Sequence, residues 1–461
     1  MLFSSAIFIV LFLPVFLLCY LISPQRWRNH VALVFSFIFY TWGAPEFSIL
    51  LFASGISDYL LSFKLLRDRA MIWLWIGIGY NVLTLAVFKY FNFFIENVEF
   101  LATSLGLEFP SYMSIVLPIG VSFFTFQKMS YLVDVYRGDS PRARNVIDYL
   151  LFVYLFPQLI AGPIVRYKDI ADQISDRNTS ETWSNRLGGF YRFCVGLARK
   201  VLIADSLAPL VDAVFASEEL GAWSAIVGVV AYAMQIYFDF GGYSDMAIGL
   251  GQMMGFRFPE NFNWPYLAKG FREFWHRWHI TLGAWMRDYL YIPLGGNKAS
   301  QARTIINLWL VFLLSGLWHG ASWNFVIWGA WHGLFISVDR YTSVFRKLPK
   351  IIGVMLTFAL VTLGWIWFRA DTVHDALAYF GSLIDWDGVD IDFTSKQRTV
   401  LVISMVIAML PQQLSAKALN WYRTENSSSD IWKTFISIAL LFLCLGQLAI
   451  VKNYPFIYFK F

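Results

Sequence analysis

Two short stretches of this 461-residue chain place histidines among aromatic residues. The first is Trp-His-Arg-Trp-His at 275–279, and the second is Trp-His-Gly at 318–320, within an otherwise apolar helical pair. Imidazole suits general-base chemistry because its pKa lies near neutral pH. Ionisable groups at membrane depth are costly and usually functional. His319 is therefore a candidate catalytic residue, and a structural imidazole bonded to a neighbouring helix is the alternative interpretation.

The first stretch belongs to a polar segment, 239–298, that interrupts the apolar pattern. On one continuous helix, a single stripe would carry Arg272, His276, His279, Gly283 and Arg287. Such a stripe, lined by aromatic residues, could border a cavity that accepts an anionic donor. The alternative is an amphipathic helix whose basic face rests on anionic lipid headgroups.

Other chemistries find less support. His276 and His279 could converge with His319 on a metal, but no Cys or carboxylate set completes a familiar site, so no metal site is predicted. There is no Gly-x-Ser-x-Gly nucleophile motif. His332 is assigned a structural role, and the three cysteines are taken as small apolar-site residues.

Composition indicates that lipid is the solvent of this protein. Hydrophobic residues make up 58% of the chain and charged residues 15%, against roughly 45–50% and 25% in soluble proteins. The net charge is +5. The location of the basic residues is interpreted as marking one side of the membrane, and no nucleic-acid partner is expected. The predicted class is an all-α polytopic membrane protein forming a single domain over 1–461, with a catalytic core at 239–338.

Apolar segments long enough to cross the bilayer recur along the chain. Candidates lie at 2–23, 30–42, 45–63, 71–95, 112–134, 188–215, 222–238, 303–318, 321–338, 350–369, 399–416 and 431–451. A tight hairpin turn is predicted at 41–45. Residues 147–165 are broken by Phe-Pro and Gly-Pro and are predicted to be re-entrant rather than spanning.

Loop charges predict an orientation with the N-terminus outside. The predicted inner loops carry Arg26, Arg28, Lys64, Arg67, Arg69, Arg137, Arg142, Arg144, Arg340, Arg346, Lys347, Lys350, Lys417 and Arg423. The predicted outer loops carry acidic residues without Lys or Arg, namely Glu96, Glu99, Glu108, Glu218, Glu219, Asp371, Asp385, Asp387, Asp390 and Asp392. The expected location is the bacterial inner membrane, with a periplasmic N-terminus.

Several motifs together resemble the membrane-bound O-acyltransferase (MBOAT) family. They are 274–282 (Phe-Trp-His-Arg-Trp-His-Ile-Thr-Leu), Arg-Asp-Tyr at 287–289, Tyr-Ile-Pro-Leu-Gly-Gly at 291–296 and Trp-His-Gly at 318–320. The segments 117–127 and 156–166 are similar to bacterial members that acetylate alginate, peptidoglycan or cellulose. The resemblance implies a ring of roughly 11–12 transmembrane helices, with re-entrant and amphipathic cytoplasmic helices, around a central funnel.

The resemblance also implies roles for individual residues. His319 corresponds to the near-invariant catalytic histidine, acting as general base, and His279 to the position that orients the donor carbonyl or stabilises its oxyanion. Candidate contacts for the phosphates of acetyl-CoA, the expected donor, are Arg272, Arg277, Arg287 and Lys298. Weaker candidates for lining the channel are Asp239, Tyr243, Gln158 and His276.

The function expected from this resemblance is transfer of an acetyl group across the inner membrane for O-acetylation of an extracellular polysaccharide, most simply alginate. No permanently bound cofactor is expected, and a periplasmic SGNH-type acetyltransferase is the expected partner. Acetylation of peptidoglycan or cellulose, and D-alanyl transfer, remain alternatives. A transporter or flippase is the alternative outside enzymes, although the chain has no inverted repeat. A scaffold for a secretion complex is a further alternative.

Overall fold

The computed structural model describes residues 1–68, 71–298, 300–410, 427–450 and 454–459. Helices and connecting loops make up these ranges, which contain no β-strand. The chain divides into two compact units. Arg69, Lys417 and Arg423 of the predicted inner loops lie outside the described residues.

The first unit comprises Met1, Ile7–Thr179 and Phe256–Phe258. Its helices are α1 (Leu13–Ile22), α2 (Gln25–Gly43), α3 (Pro45–Asp68), α4 (Met71–Leu85), α5 (Phe91–Ser104), α6 (Val121–Arg137), α7 (Val146–Tyr154), α8 (Phe156–Leu159) and α9 (Tyr167–Ser175). Short π-helical segments precede α1, at Phe8–Phe12, and join α4 to α5, at Ala86–Tyr90.

The second unit comprises Leu2–Ala6, Ser180–Gly255 and Pro259–Phe461. Its helices are α10 (Trp183–Ala198), α11 (Asp205–Phe215), α12 (Ala222–Met253), α13 (Phe271–Arg277), α14 (Ile280–Met286), α15 (Gln301–His319), α16 (Trp323–Tyr341), α17 (Val344–Lys347), α18 (Lys350–Arg369), α19 (Val373–Ser382), α20 (Ser395–Ala408) and α21 (Ser427–Ile450). A π-helical segment, Arg199–Ala204, joins α10 to α11.

Six helical segments in the described part of the chain are long and apolar enough to cross a membrane. They are Pro45–Leu66, Met71–Ser104, Ala222–Met253, Gln301–His319, Lys350–Arg369 and Ser429–Ile450. These segments confirm a multi-pass, all-α membrane protein. The ring of roughly 11–12 spanning helices that the resemblance implies stays a prediction, as does the single domain over 1–461.

Two predicted local features of the first unit are confirmed. Helix α2 ends at Gly43 and α3 begins at Pro45, so the predicted turn is a break of one residue. The 147–165 segment is interrupted where expected, since α7 ends before Phe156 and the chain is non-helical at Gly162 and Pro163. Proline removes a backbone donor, and glycine favours conformations outside the helix.

Several predicted boundaries were wrong. The span predicted at 112–134 begins as a helix only at Val121, because Pro118 and the left-handed Gly120 interrupt the chain before it. The span predicted at 222–238 continues as one helix to Met253. Helix α20 begins at Ser395 and ends at Ala408, so Lys396 and Arg398 lie in its first turn, at the end predicted to face outwards.

A close helical hairpin positions the second histidine motif. Helices α15 and α16 meet through Gly316, where an added Cβ would lie 2.1 Å from the backbone oxygen of Phe325. A Cβ on Gly329 would lie 2.4 Å from the backbone oxygen of Phe312. Small residues allow two membrane helices to approach at backbone distance. The hairpin therefore fixes the end of α15, which carries His319.

Candidate active site

His319 is the last residue of α15 and lies in an aromatic cage. Its ring centroid is 5.0 Å from that of Trp328, 5.3 Å from Phe368 and 5.5 Å from Tyr458. Gly320 ends the helix in an extended conformation, and a Cβ there would lie 2.0 Å from Cε2 of Phe325. The Trp-His-Gly sequence thus places an imidazole at a helix end, and a larger residue at position 320 would have to displace the Phe325 ring.

His279 lies at a break between two short helices. Helix α13 ends at Arg277, Trp278 is extended, and His279 adopts φ 44° before α14 begins. The prediction that a single stripe runs through Arg272, His279 and Arg287 on one continuous helix is therefore wrong. Left-handed backbone is rare for residues with a Cβ, although histidine is among the more tolerant. The break turns His279 inwards, where it is fully buried, whereas His276 is exposed.

The break is held by a loop that precedes it in the chain. The backbone N–H of Ile280 donates to the carbonyl of Asn261 at 3.0 Å, and that of Asn263 donates to the carbonyl of Arg277 at 2.9 Å. These bonds satisfy backbone groups that the interrupted helix leaves without partners. The loop thus supplies locally the support that a continuous helix would otherwise give.

The two predicted catalytic imidazoles are neighbours. The ring centroids of His279 and His319 are 6.5 Å apart, and the indole of Trp318 lies 6.0 Å from His279. Burial lowers the pKa of His279 to about 3, so this imidazole is neutral at physiological pH. His319 is 3% exposed. The structure therefore brings the two motifs, which lie 40 positions apart in the sequence, to one buried place.

Asn261 is a site residue that was not predicted from the sequence. Its side-chain oxygen lies 3.1 Å from Nδ1 of His279 and accepts a bond of 2.9 Å from the hydroxyl of Thr281. Its amide nitrogen donates to the hydroxyl of Ser244 at 3.0 Å. The available signal was an Asn-Phe-Asn sequence within a loop between apolar elements.

The segment near the C-terminus forms another wall of the site. Tyr458 is half-buried against His319, and its ring centroid lies 4.4 Å from that of Phe240. Phe456 stacks on Tyr243 at 4.5 Å. This segment was not predicted from the sequence, where its signal was the aromatic run Phe-Ile-Tyr-Phe at 456–459 after the last apolar helix.

Two of the weaker candidates anchor that segment. Asp239 accepts a hydrogen bond of 2.8 Å from the backbone N–H of Ile457 and forms an ion pair of 2.8 Å with Lys200. Tyr243 is held between Phe456 and Phe3, the latter at 4.7 Å. Gln158 belongs to the first unit, where its amide nitrogen donates to the carbonyl of Phe152.

The predicted phosphate contacts differ in exposure and in their present partners. Arg277 is bonded to Glu273 at 2.7 Å, and Arg287 to Asp288 at 2.7 Å. Arg272 and Lys298 are exposed. The Arg287 side chain is 62% exposed, so a phosphate can compete with the carboxylate for its guanidinium, whereas the Arg277 side chain is only 14% exposed.

A cavity of about 770 Å³ lies close to His279 within the second unit. Its walls include Asn261 and Ser244, together with Arg192, Arg199 and Asp245. Arg192 and Arg199 both pair with Asp245, at 3.0 and 2.5 Å. Since Asn261 also bonds to His279, a single side chain connects the cavity wall to the imidazole pair. The central funnel that the family resemblance implies stays a prediction.

Comparison with known proteins gives consistent results. The sequence model of the MBOAT, membrane-bound O-acyltransferase, family matches residues 140–367, which contain both histidine motifs. The chain is 41% identical to the probable alginate O-acetylase AlgI of Pseudomonas putida over 100% of both chains. It is 36% identical to the peptidoglycan O-acetyltransferase of Helicobacter pylori, over 86% of this chain and 82% of the relative. It is 27% identical to the teichoic acid D-alanyltransferase of Bacillus subtilis, over 56% and 69%.

Proposed function

Because the chain belongs to the membrane-bound O-acyltransferase family and is an O-acyltransferase, we propose that it moves acetyl groups from cytoplasmic acetyl-CoA towards an extracellular polysaccharide. Alginate is the proposed polymer, since several relatives at 41–44% identity carry the name 'probable alginate O-acetylase'. The observation that carries the proposal is the meeting of His279 and His319 at 6.5 Å between ring centroids.

His319 is the proposed general base. It takes the proton of an acceptor hydroxyl while the hydroxyl oxygen attacks the thioester carbonyl carbon. The new C–O bond forms, the C–S bond breaks, and the proton passes to the departing thiolate. His279 is proposed to contact the donor from the opposite side of the reacting group. The aromatic cage keeps water out, which protects the thioester from hydrolysis.

Donor binding is assigned to the basic residues near the two short helices. The proposed contacts with the phosphates of acetyl-CoA are Arg272, Arg277, Arg287 and Lys298, which lie in a segment predicted to face the cytoplasm. A second protein would complete the reaction outside, and an SGNH-type periplasmic acetyltransferase is the proposed partner. The proposed location is the inner membrane, with a periplasmic N-terminus.

The catalytic assignment predicts a large effect of His319→Ala. Purified protein with this change should release CoA thiol from acetyl-CoA, in the presence of an acceptor, with a kcat about 10²–10⁴-fold lower than that of the parent, because a general base is lost. His374→Ala is the matched control, since His374 is exposed on α19. Full activity of a folded His319→Ala protein would remove this residue from catalysis.

The donor assignment predicts an effect on KM at Arg287. The change Arg287→Glu replaces a phosphate contact by a repulsive charge and should raise the KM for acetyl-CoA about tenfold or more, with a smaller change in kcat. Arg398→Glu is the control, because Arg398 also pairs with a carboxylate, Asp392, but at the opposite predicted side. Equal KM values for both variants and the parent would reject the contact.

The polymer can be identified from its acetate content. A strain that depends on this chain should lose O-acetyl groups from alginate when His319→Ala replaces the parent, while the acetyl content of its peptidoglycan stays constant. Loss from peptidoglycan alone would transfer the proposal to that polymer, the one named for the Helicobacter pylori relative.

A further inference from the structure

The bond between Asn261 and His279 defines how this imidazole can interact with a substrate. Nδ1 of His279 lies 3.1 Å from the side-chain oxygen of Asn261. The same oxygen accepts from the backbone N–H of Thr281 at 3.3 Å and from its hydroxyl at 2.9 Å. The other ring nitrogen, Nε2, is buried and has no hydrogen-bond partner among the described residues.

The orientation of the Asn261 amide follows from its neighbours. A backbone N–H can only donate, so the atom that faces the N–H of Thr281 must be the oxygen. The amide nitrogen then faces the hydroxyl of Ser244, which can accept. A flipped amide would set two donors against each other. The oxygen therefore also faces Nδ1 of His279.

An amide oxygen only accepts, so Nδ1 of His279 must carry a proton. A neutral imidazole has one N–H, and its second nitrogen is then a lone-pair acceptor. Burial lowers the pKa of His279 to about 3, which keeps the ring neutral. In this tautomer Nε2 cannot donate to an oxyanion, and the substrate group that it contacts must bring its own N–H or O–H.

We propose that Asn261 is a positioning residue that presents Nε2 of His279 as an acceptor for the amide N–H of the donor's cysteamine arm. This inference rests on the proposed function, because it assumes a thioester donor of the acetyl-CoA type. In such a donor the amide nitrogen is separated from the sulfur by two methylene groups. That spacing suits a site in which one imidazole contacts the amide while the other, 6.5 Å away, serves the reacting hydroxyl.

The inference assigns substrate recognition to the Asn261–His279 pair. The pair would select thioesters that carry an N–H near the sulfur and disfavour simple alkyl thioesters. A buried acceptor that is left without a donor weakens binding. An analogue without the N–H should therefore bind less tightly, because it leaves Nε2 of His279 without a hydrogen-bond partner. Asn261 itself touches no reacting atom and acts through the orientation and protonation of His279.

The first test reads the tautomer directly. Protein labelled with ¹⁵N-histidine contains six imidazoles, and His279→Gln identifies the signal of interest by its loss. In the parent, the expected spectrum shows a neutral His279 that is protonated on Nδ1. This tautomer should be retained in Asn261→Asp, which keeps an oxygen acceptor, and should be lost in Asn261→Leu. A proton on Nε2 in the parent would overturn the inference without any activity measurement.

The second test compares two small donors. S-acetyl-N-acetylcysteamine has the amide N–H, and its analogue with an ester oxygen in place of that N–H is otherwise matched. The parent should prefer the amide in kcat/KM by about tenfold or more. In Asn261→Leu, the ratio of kcat/KM for the amide donor to kcat/KM for the ester analogue should fall towards one. Asn263→Leu, at an exposed position of the same loop, should retain the ratio of the parent.

The outcomes separate the inference from the proposed function. An unchanged preference for the amide in an active Asn261→Leu protein, or no preference in the parent, would overturn the assignment of Nε2. If Asn261→Leu does not fold, the tautomer and donor preference of the parent still decide. Full activity of His319→Ala would instead reject the catalytic proposal and leave the tautomer result standing.

Discussion

At the scale of single residues, the side chains that form the site differ in how readily the sequence identifies them as functional. The two histidines stand out because ionisable residues are rare in apolar segments. Asn261 and Tyr458 do not, since an asparagine in a loop and a tyrosine in an aromatic run are ordinary residues for such positions. Their importance comes only from contacts with His279 and His319.

Burial of His279 predicts a specific acid sensitivity. Its pKa falls from 6.5 to about 3 on folding, so protonation favours the unfolded state. The contribution to stability is complete above pH 6.5 and is lost as the pH falls towards 3, by about 1.4 kcal/mol per pH unit. Between pH 7.5 and pH 5, detergent-solubilised His279→Gln should therefore lose less thermal stability than the parent. An identical loss in both proteins would contradict the burial argument.

At the scale of elements, the sequence predicted long apolar helices well and short ones poorly. The α2–α3 turn and the broken 147–165 segment follow from proline and glycine, which act locally. The interruption at Trp278 carries neither residue, so its pattern reads as a continuous helix. That break depends on the 261–263 loop, and a tertiary contact of this kind leaves no periodic signal.

The α15–α16 hairpin gives a prediction at this scale. In Gly316→Ala the new methyl group would lie 2.1 Å from the backbone oxygen of Phe325, and backbone cannot move aside as a side chain can. We expect loss of thermal stability and of acetyl transfer, because His319 lies three residues further along α15. Gly381→Ala is the control, since nothing lies within 4 Å of a Cβ there. Equal stability of the two variants would show that the hairpin tolerates separation.

At the scale of the whole molecule, charge distribution and chemistry point to the same orientation. The basic loop that follows α16 is predicted to face the cytoplasm, where acetyl-CoA is available, and the acidic loop after α19 the periplasm. Transfer of an acetyl group between compartments requires the donor to bind on the cytoplasmic side and the product to leave on the periplasmic side. Orientation remains a prediction that single-site labelling can decide.

The labelling experiment uses a background in which Cys19, Cys194 and Cys444 are replaced by alanine. A membrane-impermeant maleimide added to intact spheroplasts should label Asp387→Cys and should label Thr342→Cys only after the membrane is permeabilised. Both positions are exposed, so differences in burial do not explain the result. The reverse pattern would invert the topology and move the proposed donor site to the outside.

The left-handed backbone at His279 also limits what evolution or design can install there. A φ of 44° admits glycine, asparagine, aspartate and histidine at modest cost and penalises valine, isoleucine and threonine, whose branched Cβ crowds the main chain. Among the admitted residues, only histidine and asparagine combine a neutral side chain with both a hydrogen-bond donor and an acceptor. A saturation library at position 279 should therefore yield few functional variants. Most substitutions should fail because their side chains do not tolerate this backbone conformation, whatever their chemical properties.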